Sequence, residues 1–141
     1  MYYPAKFSQE DGAYIVTFRD VPESITQGGN FEEAMFLAED VLICGLEFYF
    51  ENDKPIPLPS EPQADEIMVY LSDIVYVKAL LHNARLETEM SKAELARFMD
   101  VRPPEMQRIL DPRHNTKLDT ISRMLSKLGI ASWAKLFKHF K

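Results

Sequence analysis

The first part of the chain alternates apolar and polar residues with a period of two. Apolar side chains occupy every second position over residues 3–7 and again over 14–18, and Asp11-Gly12 lies between the two runs. This arrangement predicts a β-hairpin, because successive side chains of a strand point to opposite faces and an Asp-Gly pair suits the tight turn. Pro4 cannot donate to a central ladder, so we expect it at an edge or near a strand start. A short third strand is predicted around residues 25–27.

After Gly28-Gly29 the spacing of apolar residues changes to that of a helix. Asn30 and Glu33 form a pair that resembles a capping box, which marks a helix start. Apolar positions then recur at intervals of three or four to about Phe50, so we expect a long amphipathic helix that covers one face of the sheet. Its predicted stripe consists of Phe31, Met35 or Ala34, Ala38, Leu42, Gly45 and Tyr49.

A proline-rich segment, residues 54–65, follows this helix. Its prolines cannot continue a helix and favour an extended, fairly stiff path. Residues 67–71 form one more predicted strand. The pattern therefore predicts an α+β domain over residues 1–71, with three to four strands and one long helix.

From residue 72 onward the spacing of apolar residues is helical. A first helix is predicted from Ser72 to near Met90, and Ser91-Lys92-Ala93-Glu94 is a complete capping box for the next one. Over residues 95–109 the spacing predicts a helix-turn-helix, in which the first helix holds the second and presents it outward. Asp100 tolerates the left-handed conformation that such a turn needs, and Pro103-Pro104 suit the first turn of the second helix.

The outward side of that second helix carries the candidate DNA-binding residues. Arginine and glutamine suit purine edges in the major groove, and glutamate can accept from cytosine. Positively charged and polar residues in the loop that follows are well placed to contact phosphates. For each of these residues the alternative interpretation is an ordinary solvated side chain. The candidates are Arg102, Pro104, Glu105, Gln107 and Arg108, followed by Arg113, His114, Asn115 and Lys117.

Two further helices are predicted at the end of the chain. Thr116 and Asp119 begin the first, whose predicted stripe is Leu118, Ile121, Leu125 and Leu128, and Gly129 ends it. A basic amphipathic helix over residues 130–141 could lie on a membrane, but closing the helical core or a subunit interface is favoured. A homodimer or larger homo-oligomer is predicted, because a two-fold protein reads two half-sites. The role of residues 130–141 stays open.

Charge divides the chain at the point where the pattern changes. The 141 residues carry a formal charge of −6, with three basic against fourteen acidic residues through Tyr70 (−11) and thirteen against eight from Leu71 onward (+5). The first half would repel a phosphate backbone and the second could bind one. The single cysteine, Cys44, excludes an internal disulfide, and neither a targeting signal nor a membrane span is predicted, so we expect a cytoplasmic protein.

No catalytic or metal-binding group of residues is predicted, and no cofactor. Two-metal phosphoryl chemistry needs several carboxylates in one pocket, whereas the acids of the first half fall in turns or on a polar helix face. The three histidines lie in the second half without ligand spacing. Two alternatives remain open. One is a metal-dependent nuclease that uses Asp11, Asp20 and Glu47; the other is a stand-alone transcriptional regulator whose first domain senses a small ligand.

The chain resembles the HicB family of antitoxins over nearly its whole length. The most specific part of the resemblance is the Ile56-Pro57-Leu58-Pro59-Ser60 linker between the two flanking modules. A Tyr-Pro strand with an Asp-Gly hairpin, Val21-Pro22-Glu23 and Thr26-Gln27-Gly28 add to it, and Glu94-Leu95-Ala96-Arg97 matches one branch of the family.

The resemblance implies two functional domains. Residues 1–71 would form a partial, inactive RNase H-like domain that blocks an RNA-cleaving toxin of the HicA type. Residues 72–141 would form a helix-turn-helix domain that binds operator DNA and represses the shared operon. An acidic surface would suit a basic, RNA-binding partner. The candidate toxin-binding residues are Asp11, Asp20, Glu23, Glu47 and Glu51.

Overall fold

The structure is a computed structural model that describes residues 1–129. The predicted basic helix over 130–141 lies outside the described residues. The chain forms two compact units, which are described separately below. The first comprises Met1–Tyr49 and Pro57–Ser72, and the second comprises Phe50–Ile56 and the chain from Asp73 onward.

The first unit is built on a four-stranded antiparallel sheet. The elements follow the chain as β1 (Tyr2–Glu10), β2 (Ala13–Phe18), β3 (Ile25–Gly28), α1 (Phe31–Glu51) and β4 (Ile67–Tyr70), and the strands lie in the order β3-β2-β1-β4. The predicted hairpin is confirmed. Asp11 (φ 51°) and Gly12 (φ 80°) are both left-handed, as the tight turn between right-twisted strands requires.

Pro4 lies in a central strand but near its start, as predicted. The β1–β2 pairing begins at Ala5, whereas the β1–β4 pairing extends over Tyr2 to Ala5 and sets Pro4 opposite Met68. At Pro4 the strand therefore pairs with β4 alone, so the missing N–H leaves no gap in a ladder with β2.

Helix α1 covers one face of the sheet along a stripe that differs in part from the predicted one. Ala34, Ala38 and Leu42 are buried, but Leu46 continues the stripe and Met35 does not. Phe31 is 40% exposed because it lies at the first turn, where its ring contacts Phe7 and Tyr14 at the end of the hairpin. Asn30 accepts from the Glu33 N–H at 2.8 Å, but Glu33 accepts from Gly29 rather than from Asn30, which differs from a standard capping box.

Within residues 73–129, the second unit forms four helices around one apolar core. They are α2 (Asp73–Glu87), α3 (Lys92–Met99), α4 (Pro103–Ile109) and α5 (Leu118–Lys127). The predicted stripe of α5 is wrong at Leu118, which is 47% exposed, and Met124 is buried instead. Leu118 is the first residue of α5, a full turn before the first buried position, and Lys117 rather than Thr116 is the N-cap.

Residues 50–56 belong to the second unit through several contacts with α2. Phe50 packs its ring on His82, and Asn83 binds both the N–H (2.7 Å) and the carbonyl (3.0 Å) of Ile56. Asp53 forms an ion pair with the buried Arg85. Within residues 1–129 no helix combines the length and the apolar character needed to cross a bilayer.

Candidate functional site

Helices α3 and α4 meet at the tight turn that the sequence predicts. The capping box at the start of α3 is confirmed, because the Ser91 hydroxyl accepts from the Glu94 N–H and the Glu94 carboxylate accepts from the Ser91 N–H, both at 3.0 Å. The hydrogen bond that the Ser91 N–H donates to the Glu94 carboxylate is the main cause that lowers the pKa of Glu94. Asp100 is left-handed (φ 54°, ψ 49°), and Arg102 is the N-cap of α4, which has two prolines in its first turn.

Helix α4 has a buried side and an exposed side. Met106, Ile109 and Leu110 are buried against the core of the unit. A cleft of about 410 Å³ lies beside Gln107, lined by residues of α4 and the start of α3. The predicted candidates Arg102, Pro104, Glu105, Gln107 and Arg108 are all exposed.

The loop after α4 carries the other four candidates, also exposed: Arg113, His114, Asn115 and Lys117. Within the loop, Asp111 accepts from the Arg113 N–H (2.9 Å) through its carboxylate and from the His114 N–H (3.1 Å) through its carbonyl. Sequence reasoning missed the residue beneath it. Lys78 of α2 is fully buried and donates to carbonyls of α4 and of this loop. A lysine inside the apolar run Val75-Tyr76-Val77-Lys78-Ala79 was the available signal.

Four of the five acidic candidates, Asp11, Asp20, Glu23 and Glu47, belong to the first unit, whereas Glu51 at the end of α1 belongs to the second. Asp20 accepts from the backbone N–H of Ser60 (2.9 Å), and Glu23 accepts from the Tyr49 hydroxyl (2.7 Å), which raises the pKa of Tyr49 to about 12. Asp11 occupies the hairpin turn. Glu47 and Glu51 lie on α1. Asp20 and Glu23 thus already have structural roles.

Helix α1 is strongly acidic. Its 21 residues include six acids and no base. Phe36, on its outward side, is 75% exposed, and Phe48 is 40% exposed. The acids that share the helix with these aromatic rings are Glu32, Glu33, Glu39, Asp40, Glu47 and Glu51.

A shallow groove of about 470 Å³ also lies on the first unit. The ion pair between Arg19 and Glu66 (2.7 Å) forms part of its lining, together with Lys6 and Ile25. Over residues 1–129, no three His, Cys, Asp or Glu side chains lie together as a metal ion would require, and Asp11, Asp20 and Glu47 do not form such a group.

The chain is similar in sequence to known proteins over nearly its whole length. A family model described as HicB_like antitoxin of bacterial toxin-antitoxin system matches residues 2–80. The chain is 43% identical over 129 residues to Antitoxin HicB 2 of Photorhabdus laumondii, covering 92% of this chain and 91% of that protein. It is 37% identical to Antitoxin HicB of Escherichia coli K12 over 92% of this chain and 94% of that one.

The class of the protein follows from these similarities, because the chain is related to antitoxins of bacterial toxin–antitoxin systems. It belongs to the HicB-like antitoxin family. The predicted family is therefore confirmed, and family membership supports an antitoxin role with a toxin as partner.

Proposed function

We propose that this chain neutralises a HicA-type, RNA-cleaving toxin by direct binding through its acidic first unit, and that it represses its own operon through α3 and α4. Membership in the antitoxin family is the observation that carries the first half of this proposal. The sheet with one covering helix would correspond to a partial RNase H-like domain without activity. The helical unit would correspond to a helix-turn-helix domain that acts as a homodimer in the cytoplasm.

The outward side of α1 is the surface we propose for the toxin. An enzyme that binds RNA must carry positive charge, and six acids without a base on one helix complement it. The exposed Phe36 offers the kind of aromatic anchor that protein interfaces favour. Glu47 and Glu51 lie on this helix. Asp20 and Glu23 lie outside it and accept hydrogen bonds from Ser60 and Tyr49.

The surface that we propose for operator DNA consists of α3, α4 and the loop after α4. A buried side holds α4 in place while Gln107 and Arg108 stay exposed for base edges. The loop residues Arg113, His114 and Lys117 would contact phosphates on either side of them. The groove beside Arg19 is open to solvent and contains the Arg19–Glu66 ion pair, so it does not favour the ligand-sensing alternative.

The toxin half of the proposal is tested by co-expressing the chain with the toxin of the adjacent gene. Wild type is expected to restore growth and to co-purify with the toxin. Glu47→Lys, which reverses one charge on α1, is expected to weaken both. Asp65→Lys makes the same charge change at an exposed position outside α1 and serves as the matched control. Continued toxicity with wild type would contradict the proposal, and equal effects of the two variants would remove α1 as the contact.

A further inference from the structure

Lys78 is a buried cation in the middle of α2. Its side chain has no exposed surface. The ammonium group has three protons, and it donates to three backbone carbonyls: His114 at 2.6 Å, Asp111 at 2.7 Å and Arg108 at 3.3 Å. Every donor of this lysine is therefore used.

Such burial is costly and calls for a specific role. Lysine is almost never fully buried without partners, because the charged form loses its hydration. Burial lowers the pKa of Lys78 to about 8, and the negative charge of Asp111 opposes that shift. An apolar residue in the same run of α2 would avoid this cost, so packing alone does not explain a lysine here.

The three acceptors lie at one end of α4 and along the loop after it. Arg108 precedes the last residue of α4, where the helix dipole favours a positive charge, and its carbonyl also accepts from the Asp111 N–H at 3.2 Å. Asp111 and His114 belong to the loop. One ammonium group thus ties the end of α4 to two points of the loop.

We propose that Lys78 is a positioning residue for operator recognition. It fixes the position of the proposed phosphate-binding loop relative to the proposed base-reading helix, α4. This inference rests on the proposed DNA-binding function. Being buried, Lys78 would not touch DNA itself. Gln107 lies on the helix that the lysine caps, and Asn115 directly follows the last carbonyl that it binds. Without the ammonium group we expect the apolar core to stay intact and the loop to move relative to α4.

The test compares Lys78→Met with Arg123→Met, measured as dissociation constants for operator DNA and for a scrambled duplex. Methionine matches the lysine in length and lacks its charge and donors. Arg123 is an exposed residue of α5, so its replacement removes one positive charge from the same unit without touching the carbonyls. We expect Lys78→Met to weaken operator binding by about tenfold or more, as loss of a base contact does. Scrambled-DNA affinity should change by the same small factor in both variants.

Retained operator affinity in Lys78→Met would overturn the proposal, and so would an equal loss on both duplexes. Toxin neutralisation should stay at the wild-type level, which separates a local release from general unfolding. If wild type itself does not bind its operator, the proposed DNA-binding function fails instead.

A wild-type measurement keeps the inference testable if Lys78→Met does not fold. The His114 amide, which donates to Asp111, should lose hydrogen-exchange protection between pH 7 and pH 9 as Lys78 gives up its proton, while the Val16 amide of the first unit should not. Unchanged protection of His114 would overturn the proposal. The charged and titratable groups on the elements packed around Lys78 are Asp111, Arg108, Arg113 and His114, with His82 and Arg85 on α2 and Asp119, Arg123 and Lys127 on α5.

Discussion

Gly45 is the residue that allows α1 to approach the loop between β2 and β3. A β-carbon at this position would overlap the hydroxyl oxygen of Ser24 and lie 3.0 Å from a methyl group of Val21. Ser24 is fully buried, and its hydroxyl donates to the Val41 carbonyl at 2.8 Å. The hydroxyl cannot move aside without losing that bond, so the close approach depends on glycine.

Gly45→Ala should therefore lower the free energy of unfolding. Alanine in a helix normally gains about 1 kcal/mol over glycine, but overpacking costs about 1–3 kcal/mol and here also breaks a buried hydrogen bond. We expect a net loss of about 2 kcal/mol in urea unfolding. Gly29→Ala is the control, since its nearest neighbour would be 3.8 Å away. A variant Gly45→Ala as stable as wild type would show that the helix can shift without cost.

Asp53 stabilises the second unit through the buried guanidinium of Arg85. Burial alone would raise the pKa of Asp53, but the hydrogen bond and positive charge of Arg85 outweigh it and hold this pKa below its usual value. A carboxyl whose pKa is depressed on folding contributes stability above its unfolded pKa and loses it as the pH falls through the folded value. The contribution is thus complete at neutral pH.

Asp53→Asn should destabilise the chain at pH 7 by about 1–2 kcal/mol. Loss of a partner from a fully buried pair costs more than this, but Asp53 itself is 57% exposed and its interaction is screened. Asparagine tolerates the left-handed conformation of residue 53 (φ 51°), so backbone strain should not contribute. Urea unfolding at pH 7 and pH 3 measures the effect. The difference between wild type and variant should shrink at pH 3, and a difference that stays constant would argue against this ion pair.

At the level of elements, capping and periodicity predicted most of the helices and strands. Asp11-Gly12, the Ser91 to Glu94 box and the left-handed Asp100 are local signals, and all three are found as expected. These local signals could not predict which residues contact each other across different elements. In α5, Met124 is buried in the core and Leu118 is exposed, and Asp20 accepts a hydrogen bond from Ser60. Both features depend on neighbours that are distant in the chain.

Helix α4 carries the prediction that concerns DNA reading. Gln107→Ala and Arg108→Ala should each weaken operator binding by about 1–3 kcal/mol per lost base contact, while toxin inhibition persists. Dissociation constants on operator and random DNA measure this, with the exposed Arg123→Ala on α5 as the charge control for Arg108. An equal loss on both kinds of DNA would mean that these two residues contact only phosphates.

Across the whole molecule, the distribution of charge matches the two functions that we propose. The sequence shows 14 acids and three bases through Tyr70, and an excess of bases after it. The sequence alone predicts the sign of the charge on each proposed partner but not the contact residues, because those depend on which side chains are exposed. Asp20 and Glu23 accept hydrogen bonds within the fold, whereas Phe36, which no charge pattern singles out, is 75% exposed.

The association rate of the purified chain with the adjacent gene's toxin, measured against salt concentration, tests the central claim most directly. Attraction between an acidic surface and a basic enzyme should make the rate fall by about tenfold or more from 50 to 500 mM salt, because salt screens exposed charges. The complex formed should no longer cleave RNA. A rate that does not change with salt, or a toxin that still cleaves RNA in the presence of excess chain, would contradict the account.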